Sequence, residues 1–97
     1  MIVNAERGKA VYRIETASRR VEKQLDKLSN TIYDKVAQAI RNLAVDPRPR
    51  GVRKLSKRVY RIRVGDYRIV YSIFDDKNLI VIDKVDRRKE RTYKRVL

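Results

Sequence analysis

An α+β domain is predicted, with elements in the order β-α-α-β-β-β: a small, mostly antiparallel sheet with a two-helix hairpin packed on one face. Three features of the 97 residues predict it. Apolar residues in the first half recur at spacings of 4, 4 and 3, the repeat of one helix face. In the second half they alternate with polar residues, the repeat of a strand. Short turn signals, Gly65-Asp66 and Asp75 to Asn78, separate the strand-like runs.

Residues 1–10 carry little pattern and are expected to form a loose N-terminal arm. Ala10 to Glu15 sets Val11 and Arg13 against Tyr12 and Ile14, a short strand. Thr16 is placed to cap a first helix whose stripe is Ala17, Val21, Leu25 and Leu28. Ser29 or Asn30 caps a second, with Ile32, Val36, Ile40 and Leu43 as its stripe and Tyr33 and Ala37 widening it toward the core. Hardly a residue is left for a loop between them, which favours an antiparallel helix hairpin. Asp46-Pro47 ends the second helix, because the residue before proline is pushed out of the α region.

Pro47 to Arg58 reads as a basic connector with two prolines and one glycine, anchored by Val52 and Leu55. Strands follow at Val59–Val64, Tyr67–Phe74 and Leu79–Val85. Gly65 at the first central position suits a type II′ turn. That turn sets Val64 opposite Tyr67, Ile62 opposite Ile69 and Tyr60 opposite Tyr71, giving one apolar face. The unbroken apolar run Leu79 to Ile82 suggests a strand covered on both faces. Residues 86–97 form a basic tail with Tyr93 and Leu97 as its apolar points, and the whole of 1–97 is expected to be a single domain.

No cysteine and no histidine occurs. This excludes disulfides, thiol nucleophiles, Cys/His zinc sites and imidazole acid–base chemistry. No apolar run is long enough for a membrane span, so a cytoplasmic protein is expected. The net charge is +14 and unevenly spread: residues 1–46 carry nine basic and six acidic residues, residues 47–97 seventeen and six. From Pro47 to Gly65 there are eight basic residues and no acidic one. Such density implies a polyanionic partner, nucleic acid first and an acidic protein second.

The hairpin register raises a further point. If Val64 faces Tyr67, then Arg63 faces Arg68 on the other side of the strand pair, with Arg61 two residues along. Like charges directly opposite are destabilising. Guanidinium does not lose its proton in proteins, so only an anion relieves the crowding. Asp83 or Asp86 on the next strand could supply one. A phosphate, which accepts paired hydrogen bonds from the planar fork, is the other source.

The run YRIRVGDYRIVYSIFDDKNLIVIDKVDRRKERTY, preceded by two helices and DPRPRGVRKL, resembles the RelE branch of the RelE/ParE toxin superfamily. The resemblance extends over nearly the whole chain from Val11. It implies the same fold and a type II toxin–antitoxin toxin: a ribosome-dependent messenger RNA endoribonuclease working in the ribosomal A site. The RNA's own 2′-hydroxyl would attack the adjacent phosphodiester, with no metal or other cofactor. A cognate antitoxin, forming a toxin–antitoxin hetero-oligomer, and the ribosome with its messenger are the implied partners.

Carried over from the family, Arg61, Arg63, Arg68, Arg88 and Tyr93 are the expected catalytic set, with Arg68 on the scissile phosphate. Arg53, Lys54, Lys57, Arg58, Arg87, Lys89 and Arg91 are expected to bind RNA. Arginine stands at 61 and 63 where relatives commonly have lysine, and Asp86 where many have histidine. Two other readings share the fold and the basic face: a ParE-like inhibitor of DNA gyrase, and a non-catalytic RNA or ribosome binder.

Overall fold

The computed structural model describes residues 11–87. Arg13–Thr16 forms β1, Arg19–Asp26 α1, Asn30–Leu43 α2, Arg53–Lys54 β2, Val59–Val64 β3, Tyr67–Phe74 β4 and Leu79–Arg87 β5. All five strands share one sheet, ordered β1-β5-β4-β3-β2. β1 runs parallel to β5, and every other neighbouring pair is antiparallel. A single 3-10 turn, Asp75–Lys77, joins β4 to β5 and closes on Asn78 at φ 50, a left-handed position that asparagine tolerates.

Both helices cover the same side of the sheet. Val21 of α1 and Val36 and Leu43 of α2 form one buried cluster with Tyr60 and Ile62 of β3, Ile69, Tyr71 and Ile73 of β4, and Ile80, Ile82 and Val85 of β5. Leu25, Leu28, Ile32 and Ile40 pack against it, so both helical stripes point inward as their spacing requires. The β3–β4 hairpin has the expected register, with Tyr60 opposite Tyr71, Ile62 opposite Ile69 and Arg63 opposite Arg68. Gly65 takes φ +61 and Asp66 stays outside the positive region, which is the type II′ pattern rather than I′.

Several elements differ from the expectation for physical reasons. The connector contains a strand: β2 adds two residues to the outer edge of β3, so the order is β-α-α-β-β-β-β. The first strand runs through Thr16, because the Ala17 N–H is spent on the Ile82 carbonyl at 2.9 Å. The helix therefore starts after Ser18, and Ala17 is exposed rather than part of the stripe. Thr16 instead donates through its hydroxyl to Glu22 at 3.1 Å. Ser29 does cap α2, accepting from the Ile32 N–H.

Tyr33 is 44% exposed and does not join the core. Because helices cover one side only, Ile80 and Ile82 are buried while Leu79 and Val81 stay partly exposed on the other. β5 also continues two residues beyond Val85, into the segment expected to be tail. β1 ends opposite Ile82, and past that point the Gln24 side chain of α1 accepts from the Val85 N–H at 2.9 Å.

Candidate nucleic-acid interface

Side chains alternate across a strand, so the residues between the buried ones emerge on the side without helices. Two rows of basic residues result. Arg63 of β3 lies opposite Arg68 of β4, which lies opposite Asp86 of β5. One step further from the turn, Arg53 of β2 lies opposite Arg61, then Val70, then Lys84. Neighbours within a row stand about 4.8 Å apart and the rows about 6.6 Å apart. Four arginines and a lysine thus share one corner of the open face.

Asp86 is held between two of these cations: Arg68 Nε lies 3.7 Å from Oδ1 and Lys84 Nζ lies 3.5 Å from Oδ2. The 3.7 Å separation is a loose ion pair rather than a hydrogen bond, and a phosphate in direct contact would outcompete it. No carboxylate among the described residues pairs with Arg63. Asp83, the other candidate counter-charge, instead accepts from the Ser72 hydroxyl at 2.6 Å.

Beside this corner, where β2 edges the sheet, a cleft of about 550 Å³ opens. Arg50, Gly51, Val52, Arg53, Arg61, Ile62 and Arg63 line it. The connector that forms one wall is fastened at its start. The Tyr71 hydroxyl donates to the Pro47 carbonyl at 2.7 Å, and Tyr71 stacks on Tyr60 with ring centroids 6.0 Å apart. Arg48 donates through Nε to the Tyr60 hydroxyl at 3.1 Å and lies over that ring, while its Nη2 pairs with Asp75 Oδ2 at 2.8 Å. The Tyr12 hydroxyl donates to the other Asp75 oxygen at 2.6 Å.

These bonds set the titration of the cluster. Hydrogen bonds from Arg48 and Tyr12 hold the Asp75 carboxyl below its ordinary value. The bond to Asp75 raises the Tyr12 phenol, and burial raises that of Tyr71. Both phenols are therefore neutral at physiological pH.

Of the expected site residues, Arg53, Arg61, Arg63 and Arg68 come together. Lys54 points to the other side with Tyr60, its Nζ 6.0 Å from that ring. Arg58 lies over Phe74 at 5.1 Å, at the far end of the β3–β4 ladder from the turn. Lys57 is exposed in the connector. Arg87 lies opposite Tyr67 and so on the helix side, away from Arg68. Arg88, Lys89, Arg91 and Tyr93 lie outside the described residues. Sequence pattern does not single out Arg50, Arg48 or Lys84. The acid-free run containing Arg50 is an available signal, whereas nothing local pairs Arg48 with Asp75.

The model for the ParE toxin of the type II toxin–antitoxin system parDE matches residues 11–92. A relative from Methanocaldococcus jannaschii that carries the toxin name RelE1 is 35% identical over 81 residues, 78% of this chain and 89% of that protein. Two solved complexes are similar. The RelBE2 toxin–antitoxin complex of Mycobacterium tuberculosis has a TM-score of 0.70 at 27% identity, covering 84% of this chain and 95% of that one. The RelE–RelB complex of Pyrococcus horikoshii has a TM-score of 0.72 at 28% identity, covering 82% and 98%. The isolated Escherichia coli RelE toxin shares the fold, with a TM-score of 0.73 at 21% identity over 89% and 99%. On the matched model and the M. jannaschii relative, the chain belongs to the RelE/ParE superfamily of type II toxin–antitoxin toxins.

Proposed function

We propose that this toxin is a ribosome-dependent endoribonuclease that cuts messenger RNA without a metal. The observation that carries the reading is the corner of the open face shared by Arg61, Arg63 and Arg68, where Asp86 pairs only loosely with Arg68. In the proposed reaction the 2′-oxygen of one nucleotide attacks the adjacent phosphorus. The bond from phosphorus to the 5′-oxygen breaks, leaving a 2′,3′-cyclic phosphate and a 5′-hydroxyl. The 2′-hydroxyl loses its proton and the leaving 5′-oxygen gains one.

Negative charge grows on the phosphoryl oxygens in between, and Arg68, Arg63 and Arg61 are the donors aimed there. Being fixed by the sheet, they need little reorganisation as that charge develops. Guanidinium is a poor base, so these residues position and stabilise rather than move the proton. Arg88 and Tyr93 complete the proposed set. Arg53 and Lys57 support RNA binding from the connector, and an antitoxin of RelB type is the proposed partner, in keeping with the complexes of the two similar toxins.

The test is primer extension on ribosomes programmed with messenger and mixed with the purified chain. New cut ends that disappear with Arg68→Ala support the proposal; intact messenger under every ribosomal state rejects it. The ParE model match favours one competing reading, action on DNA gyrase. DNA breaks on expression, with translation initially unimpaired, would select it.

A further inference from the structure

The cleft between the connector and β3 is larger than one phosphate requires, and its lining mixes two kinds of chemistry. At about 550 Å³ it falls within the range of about 300–1,000 Å³ that holds small organic ligands. Arg50, Arg53, Arg61 and Arg63 supply cationic donors and the half-buried Val52 supplies apolar wall, while Ile62 borders the cleft at the β3 edge with its side chain in the core. Among the described residues, no carboxylate belongs to the lining. Arg50 and Arg53 flank Gly51, whose φ of +88 suits glycine alone, and a Cβ there would meet no heavy atom within 4 Å. The backbone is therefore open to close approach by a ligand.

The wall is a built one. The Val52 N–H closes a turn onto the Pro49 carbonyl at 3.1 Å. Arg48 is clamped by Asp75 and Tyr60 on one side of the turn, and Arg53 and Lys54 are paired into the sheet on the other. The cleft also continues the row that starts at Arg68. From Arg68 the basic residues step across to Arg63, along β3 to Arg61, and across again to Arg53 at the sheet edge.

We infer that this cleft is a second nucleotide subsite, in which Arg50 and Arg53 hold a phosphate flanking the scissile one and Val52 packs on the attached nucleotide. Single-stranded RNA then crosses the open face diagonally from Arg68 to the β2 edge. An acidic peptide would satisfy the arginines but leave the apolar wall unused. The inference rests on the reading of the toxin as an RNA-acting protein.

The test uses the full chain and a fluorescently labelled single-stranded RNA, followed by anisotropy across a salt series. Arg50→Gln with Arg53→Gln should weaken binding at least tenfold. It should also reduce the slope of log affinity against log salt by about 0.7 for each phosphate that is no longer neutralised. A control with Lys27→Gln and Lys35→Gln, on the helix side, removes the same charge and should leave both quantities unchanged. Equal effects of the two double variants, an unchanged slope in the first, or equal binding of polyglutamate would overturn the subsite.

On programmed ribosomes the arginine variant should raise KM with kcat unchanged. Cleavage by the wild type with an unaltered KM in the variant would sink the subsite alone. Slope-changing RNA binding without cleavage would sink the endoribonuclease reading alone.

Discussion

The two sides of the β3–β4 hairpin are built from alternate residues of the same thirteen-residue stretch, Val59 to Tyr71, yet they answer to different demands. On the helix side Tyr60, Ile62, Ile69 and Tyr71 are 7%, 8%, 0% and 0% exposed, and the phenol groups of both tyrosines are hydrogen-bonded. On the open side Arg61, Arg63 and Arg68 share the same backbone, and Asp86 stands 3.7 Å from Arg68. The first side holds the fold together through burial. The second accumulates charge that the fold itself does not need. A register slip of one residue would exchange them, so the two-residue turn at Gly65-Asp66 keeps both roles in place.

Substitutions that move one side without the other sharpen this contrast. Ile69→Ala, at a fully buried position, should cost about 2–5 kcal/mol in urea unfolding. Its cleavage should stay near normal wherever the variant remains folded. Arg68→Ala should do the reverse: ribosomal cleavage falls about 100- to 1,000-fold, as when one transition-state donor is removed. Its unfolding midpoint should barely move, because the pair with Asp86 is loose.

Tyr71→Phe takes the donor from the Pro47 carbonyl and should cost about 1 kcal/mol in the same unfolding assay. The smallest effect is on acid stability. Asp75 is held below its ordinary pKa, so its contribution is present above the normal carboxylate range and lost as pH falls through the lowered value. Asp75→Asn should flatten that acid limb by at most about 1 kcal/mol, given how exposed the pair with Arg48 is.

The hairpin is legible in the sequence because alternation and a Gly-Asp turn leave one register that buries Tyr60, Ile62, Ile69 and Tyr71 together. The helices are legible from their stripes, apart from the start of the first, which depends on the Ala17 N–H finding its partner on a distant strand, at Ile82. β2 is not legible, since two basic residues in a Pro- and Gly-containing run carry no strand pattern and are defined by the edge they meet. The same limit applies to the site. Proximity in sequence groups Arg53 with Lys54, and Arg87 with Arg88, but pleating puts Lys54 and Arg87 on the helix side. A shift in register between Val70 and Tyr71 separates the two ends of β5, and strand alternation alone does not reveal it.

The central claim is that the facing arginines are kept for what they bind and at a cost to stability. Arg63→Gln tests it most directly, with unfolding and ribosomal cleavage measured on one preparation. Removing one member of the Arg63–Arg68 pair should leave the protein as stable as before or more stable by about 0.2–1 kcal/mol, while cleavage drops at least tenfold. A variant that unfolds more easily, or one that cleaves as well as the wild type, would contradict the account.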